Sequence, residues 1–146
     1  MELTFEHKPF DDLTLRELYA ILQLRDEVFV VGQKITAESE VDGLDPQCVH
    51  VMARNSAGRL IATARIFLDE EPAKVGRVAV HNSAQRRGVG TRVMQYVHGV
   101  LGGRPAKMSA QAHLESWYAG LGWVVVGDPY FEANIPHIAM KRPGKA

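Results

Sequence analysis

The sequence predicts an α/β fold built on a mixed sheet, and three observations carry that prediction. β-rich and helical runs succeed one another in the order strand, helix, three strands, helix, strand, helix, two strands. Residues 78–91, Val-Ala-Val-His-Asn-Ser-Ala-Gln-Arg-Arg-Gly-Val-Gly-Thr, pass from an apolar strand through a cationic, glycine-bearing turn into a helix. The length of 146 residues is near the common size of one domain and suffices to bury a sizeable core, so residues 1–146 are expected to form a single domain.

Residues 3–8 alternate weakly and are read as an opening strand. Across residues 13–31, Leu15, Leu18, Tyr19, Leu22, Val28 and Phe29 fall near one face at helical spacing, with Thr14 or Asp12 as N-cap, which predicts a core-facing helix. Residues 32–46 are irregular and acidic, with Glu38, Glu40, Asp42 and Asp45 around a Val-Asp-Gly turn; they read as a solvated loop or as a receiver for a cationic acceptor. Residues 48–54 and 60–68 are β-rich runs separated by Asn55-Ser56-Ala57-Gly58, which predicts a hairpin. A third strand, 74–81, follows a turn through Glu70-Glu71-Pro72. The helix over 88–101 carries Val89, Val93, Met94, Val97 and Leu101 at core-facing spacing and stops at Gly102-Gly103. A strand at 106–110, a helix around 114–119 and two β runs at 123–127 and 137–141 complete the chain.

Composition narrows the function classes. Seventeen basic and seventeen acidic side chains cancel, so no global field favours nucleic acid or an acidic membrane surface, and Arg86, Arg87 and Arg92 form only a local cluster. A single cysteine, Cys48, excludes an internal disulfide framework, and no neighbouring signature makes it a nucleophile. No apolar run approaches the length of a membrane span, and residues 1–8 lack a basic-then-apolar leader, so a cytoplasmic protein is expected. His7, His50, His81 and His98 show no metal-ligand spacing, and no metal site is expected.

The turn at 85–91 is suited to a pyrophosphate. Unpaired N–H groups at a helix start point toward an anion, and the helix dipole adds to the attraction. Gly88 and Gly90 permit close approach of the backbone, and Arg86 and Arg87 add fixed charge. A Walker loop would need Lys-Ser/Thr after its last glycine, where this chain has Thr91-Arg92. A dinucleotide fingerprint would need a third small residue where Val93 stands. The remaining pattern, Gln85-Arg86-Arg87-Gly88-Val89-Gly90, resembles the Q/R-x-x-G-x-G/A acetyl-CoA motif of the GCN5-related N-acetyltransferase (GNAT) family.

The resemblance extends over nearly the whole chain. Residues 18–31, Gly76-Arg77-Val78-Ala79-Val80, Ala110-Gln111-Ala112-His113-Leu114, residues 117–123 and Ile135-Pro136-His137-Ile138 are similar to the ElaA-type subgroup in order and spacing. One departure is Gly32 before Gln33, where that subgroup commonly has Glu. The resemblance implies the acyl-CoA N-acyltransferase fold: a mixed, mostly antiparallel sheet flanked by helices, with the fourth and fifth strands splayed to admit the cofactor. It implies acetyl-CoA as co-substrate, held by Val78, Ala79, Val80, the turn Gln85, Arg86, Arg87, Gly88, Val89, Gly90 and Thr91, and Gln111 or His113.

The same resemblance assigns the backbone N–H of Val78 to the developing oxyanion, and Val80 to the pantetheine arm. Tyr118, in Trp117-Tyr118-Ala119-Gly120-Leu121-Gly122-Trp123, takes the place of the family's general acid and also touches the cofactor. A phenol suits that task because it holds its proton at neutral pH. His137 resembles the base of glyphosate-type acetyltransferases and is the candidate general base and acceptor contact. Glu40 or Asp42, acting through water, is the competing base.

Arg25, Arg65 and Arg77 lie in apolar surroundings, either as receivers for an acidic group of the substrate or as partners of Asp and Glu across the core. Arg25 and Arg77 are the expected substrate contacts. The first would favour an amine that also carries a carboxylate or phosphonate; a dominant acidic loop would favour a polyamine or simple amine. The expected partner is a small-molecule amine, with no nucleic acid and no membrane, and a homodimer is a family-level expectation. A catalytically idle coenzyme A or acyl-CoA binding module is the alternative function.

Overall fold

The computed structural model describes residues 1–36 and 39–144. Among these residues seven strands form one sheet: β1 (Leu3–Pro9), β2 (Val49–Asn55), β3 (Leu60–Phe67), β4 (Ala73–Val80), β5 (Ala106–Gln111), β6 (Val124–Glu132) and β7 (Ile135–Arg142), in the order β1-β2-β3-β4-β5-β7-β6. Neighbours pair antiparallel except β4 with β5, which run parallel. Helices α1 (Leu15–Arg25), α2 (Val89–Leu101) and α3 (Glu115–Gly120) flank the sheet. The expected mixed, mostly antiparallel α/β sheet is thus present.

The splay expected between the fourth and fifth strands is also present. β4 and β5 pair only at Ala73 with Ala106 and Lys74 with Lys107. Beyond Lys74 the β5-facing edge of β4 is unpaired, leaving backbone polar groups available to a ligand.

A β-bulge shapes the same strand. Thr63 pairs with Ala79 and Arg65 with Gly76, so Arg77 and Val78 together stand opposite Ala64. Arg77 takes the left-handed conformation, φ 50°. The extra residue shifts the alternation, so Val78 and Val80 share the main core's face with Val75, while Ala79 packs with Leu24 and Val28 under α1.

The core lies on both sides of the central strands. β3 is buried from Ile61 to Phe67, as a strand covered on both faces must be. Val89, Val93, Met94, Val97 and Leu101 of α2 enter the main cluster, as their spacing predicts.

The helix read over 13–31 is one α-helix continued by a π-helical turn, Asp26–Gly32. Thr14 is its N-cap: Glu17 N–H donates to Thr14 Oγ1 at 3.0 Å and Thr14 N–H to Glu17 Oε1 at 2.9 Å. The buried face differs from the expected one. Leu15 is 87% exposed and Tyr19 72%, whereas Ile21, Leu24, Arg25 and Val28 are buried. The stripe is turned by roughly a third of a turn because it includes Arg25, which a search for apolar periodicity counts as outside.

The last hairpin is longer than expected. β6 does not end at Gly127; Gly127, Asp128 and Pro129 form a bulge opposite Ile138, and pairing resumes at Tyr130 with His137. Ala133 and Asn134, φ 49° and 62°, close the turn to β7.

Candidate active site

The splay opens a cleft of about 370 Å³ lined from β4, β5, α3, the β6–β7 hairpin and the π-helical turn. Val78, Val80, Gln85, Gly90, Gln111, Tyr118 and His137 all face it. A second depression, about 250 Å³, adjoins it through Val80, Gln85, Gly90, Leu114 and Trp117, and adds Arg86, Gly88, Val89 and Thr91. The expected cofactor turn and the two expected catalytic side chains therefore border one continuous space.

The turn has the form an anion needs. Gly88 caps α2 at φ 74°, Arg86 is left-handed at φ 64°, and among the described residues no side chain caps the helix N-terminus. The first intrahelical bond is made by Arg92 N–H to Gly88 O, leaving the N–H groups of Val89, Gly90 and Thr91 outside the helical ladder. Gln85 braces the turn by donating to Val80 O at 3.1 Å and Asn82 Oδ1 at 3.2 Å. A Cβ at Gly90 would lie 3.4 Å from Trp117, whose Nε1 donates to Thr91 Oγ1 at 3.1 Å. Arg86 and Arg87 are exposed, with Arg87 lining neither depression, and Ala79 does not take the place expected for a cofactor contact: it is buried away from the cleft, and its backbone pairs with Thr63 of β3.

Tyr118 is 6% exposed and packs against Trp117 with ring centroids 4.6 Å apart. Its hydroxyl has no hydrogen-bond partner among the described residues, and burial pushes it up to about 12. It therefore holds its proton throughout the neutral range.

His137 is 7% exposed. Its Nδ1 lies 2.7 Å from Ile135 O, and because a carbonyl only accepts, the proton of the neutral ring is assigned to Nδ1. The lone pair then sits on Nε2, 3.4 Å from Glu132 Oε2. Tyr130 stacks on the imidazole at 6.3 Å, and its hydroxyl bonds Ser109 Oγ.

The arginines take the second of their two expected roles, as partners of Asp and Glu, and not that of substrate contacts. Arg25 is not at the cleft. It is 1% exposed and spent on Glu40 Oε1 (2.7 Å), Asp45 Oδ1 (2.7 Å) and Glu40 O (2.9 Å), because a guanidinium inside the core must be fully paired. Arg65 is likewise buried, reaching Asp42 at 2.6 Å and Asp45 at 3.0 Å. Arg77 does line the cleft, yet its Nε lies 3.0 Å from Glu40 and its Nη2 3.5 Å from Asp42. Three arginines thus neutralise Glu40, Asp42 and Asp45, so these carboxylates are not free receivers for a cation, although residues 41–44 are exposed as a solvated loop would be; Glu38 lies outside the described residues.

This network has a pH signature. Hydrogen bonding from Arg65 holds the Asp42 carboxyl far below the usual carboxylate range. Burial opposes ionisation of Asp45, but Arg25 and Arg65 outweigh it and hold Asp45 low as well. The unfolded chain therefore binds more protons than the native one as pH falls below about 4, so stability is full above that value and declines below it. The urea midpoint is expected to fall between pH 5 and pH 3, with a shallower fall in Asp42→Asn; a flat wild-type profile would contradict the network.

Cys48 is buried outside the cleft lining, and burial pushes its thiol up to about 11. Among the described residues no cluster of three His, Cys, Asp or Glu side chains could hold a metal ion, and no helix is long and apolar enough to cross a membrane.

Phe29, Gln33, Ile35, Ser109 and Glu132 also face the cleft. The Gln111 amide donates to Gln33 Oε1 at 2.8 Å, tying β5 to the π-helical turn. Glu132 was legible only through the Tyr130/Glu132 alternation beyond Pro129 and the Asn134 turn signal.

A mixed sheet whose fourth and fifth strands part beside a helix start is the architecture of the GNAT class of acyltransferases. The family model described as an acetyltransferase (GNAT) domain matches residues 26–143. The chain is 35% identical to protein ElaA of Escherichia coli over 140 residues, 90% of each chain, and superposes on the ElaA crystal structure with a TM-score of 0.87, covering 97% and 99% of the two chains. It is 41% identical to an acyl-CoA N-acyltransferase from Pseudomonas aeruginosa, with a TM-score of 0.86 over 97% and 99% of the chains. A UPF0039 protein of Schizosaccharomyces pombe is 34% identical over 145 residues, 95% and 96% of the two chains. The chain belongs to the GNAT family, and within it to the ElaA-type subgroup.

Proposed function

We propose that the chain is an acetyl-CoA-dependent N-acetyltransferase that acts on a primary amine of a small molecule by direct attack in a ternary complex. The observation that carries this reading is the convergence of the free β4 edge, Tyr118 and His137 on one cleft. Acetyl-CoA would supply an acetyl group activated as a thioester. The free N–H groups of Val89, Gly90 and Thr91, with Arg86 and Arg87, hold the pyrophosphate. The edge of β4 through Val80 pairs with the amide-bearing arm, and the Val78 N–H at the bulge donates to the thioester oxygen as negative charge develops there.

His137 Nε2 accepts one proton from the bound ammonium, and the freed lone pair forms the C–N bond. Tyr118 gives its hydroxyl proton to sulfur as the C–S bond breaks, and recovers a proton from the acylated nitrogen. The remaining proton on His137 passes to solvent. A covalent acyl-cysteine is disfavoured because Cys48 is buried outside the cleft with a raised thiol pKa.

The experiment compares His137→Gln and the Tyr118→Phe/His137→Gln double variant with the wild type. Acetyl-CoA binding is expected to persist in both. For His137→Gln, kcat/KM should fall about 100-fold at neutral pH and recover toward alkaline pH, where the amine arrives neutral. Unchanged turnover in the double variant would contradict the roles assigned, and absence of turnover in the wild type with every primary amine would favour a cofactor-binding module.

A further inference from the structure

We propose that Glu132 is the acceptor-recognition residue, and that it selects an alkylammonium that carries no carboxylate of its own. The inference rests on the acyl-transfer reading and deepens it. Among the described residues, the Asp, Glu, Lys and Arg side chains facing the cleft are Glu40, Arg77 and Glu132. Glu40 and Arg77 lie 3.0 Å apart and belong to the network in which Arg25, Arg65 and Arg77 balance Glu40, Asp42 and Asp45. Their fields cancel at the cleft, so Arg77 is not a spare anion receiver. Glu132 remains, with its side chain 45% exposed, 3.4 Å from His137 Nε2 and paired with no Lys or Arg among the described residues.

A carboxylate in that place has two consequences. It attracts a cation into a cleft whose other charges are balanced, and it sets the ammonium beside the nitrogen that must take its proton. It also repels a substrate carboxylate. Val28, Phe29 and Ile35 line the same cleft and supply apolar surface for an aliphatic chain. Glu132 is held in place by the tight turn at Ala133-Asn134 and by its pairing with Ile135. The chemistry described is that of a linear mono- or diamine, recognised at its ammonium end.

Equilibrium binding to coenzyme A-saturated protein tests the inference with three probes of matched chain length: butylamine, 1,4-diaminobutane and 4-aminobutanoate. The two alkylammonium probes are expected to bind at least 10-fold tighter than 4-aminobutanoate. Glu132→Gln is expected to weaken them about 10-fold, with partial rescue in Glu132→Asp and no change in coenzyme A affinity or thermal midpoint. Equal or tighter binding of 4-aminobutanoate, unchanged affinity in Glu132→Gln, or no binding of any probe would overturn the assignment. Thiol release from acetyl-CoA with any primary amine, measured alongside, keeps the acyl-transfer reading standing in each of those cases; loss of thiol release with all amines would end that reading without altering the binding result.

Discussion

Replacement of Tyr118 by phenylalanine is expected to lower kcat by about 10²- to 10⁴-fold while leaving the fold intact. The size follows from the role: the departing sulfur needs a proton at the moment the C–S bond breaks, and the Tyr118 hydroxyl is the buried phenol that faces the cleft. The fold should survive because that hydroxyl has no partner among the described residues, so its removal leaves no protein group unsatisfied. Burial without a partner is also what raises its pKa, and the sign of the linked stability follows. The unfolded phenol ionises near 10 and the native one near 12, so stability is full below about pH 10 and falls as pH rises from there toward 12. The Phe variant should lack that part of the alkaline fall. A single-turnover rate within threefold of wild type would remove Tyr118 from the mechanism.

Arg25→Ala should show the largest loss of stability, about 3–5 kcal/mol, read as a lower urea midpoint at an unchanged slope. Removing the guanidinium leaves Asp45 buried beside Arg65 alone and strips Glu40 of its side-chain and backbone contacts from α1. Arg25→Lys should recover only part of the loss, since one ammonium cannot reproduce contacts made from Nε, Nη1 and Nη2. A change below 1 kcal/mol would mean that the network is not what fixes residues 40–45 against the sheet.

Much of this architecture is legible in the sequence because local and global signals agree. The core-facing residues of α2, the glycines of its turn and the strand before it each follow from short-range rules, and the end of the cleft beside that turn, where we propose the cofactor binds, comes with them. The end of the cleft beside His137, the proposed acceptor end, is legible only in part, for two physical reasons. Arg25 and Arg77 share the same apolar sequence context, and only the fold shows that one is consumed inside the core while the other, across a bulge, reaches the cleft. Glu132 lies past Gly127-Asp128-Pro129, a segment with every mark of a strand end that is instead a bulge in an edge strand. The turned stripe on α1 has the same root as the Arg25 result: a buried ion pair puts a charged residue on the inward face, where apolar periodicity does not look for it.

Free-thiol release from acetyl-CoA against pooled primary amines, with the acetylated product identified by mass, decides whether the protein acetylates an amine. The pools would hold alkylamines and polyamines, amino acids, amino sugars, aminophosphonates and a lysine-bearing peptide. Amine-dependent thiol release with an N-acetylated product is expected, strongest for the alkylamine and polyamine pool and lost in the Tyr118→Phe/His137→Gln variant. Tight acetyl-CoA binding with no thiol release from any pool would contradict it and leave a cofactor-binding module in its place.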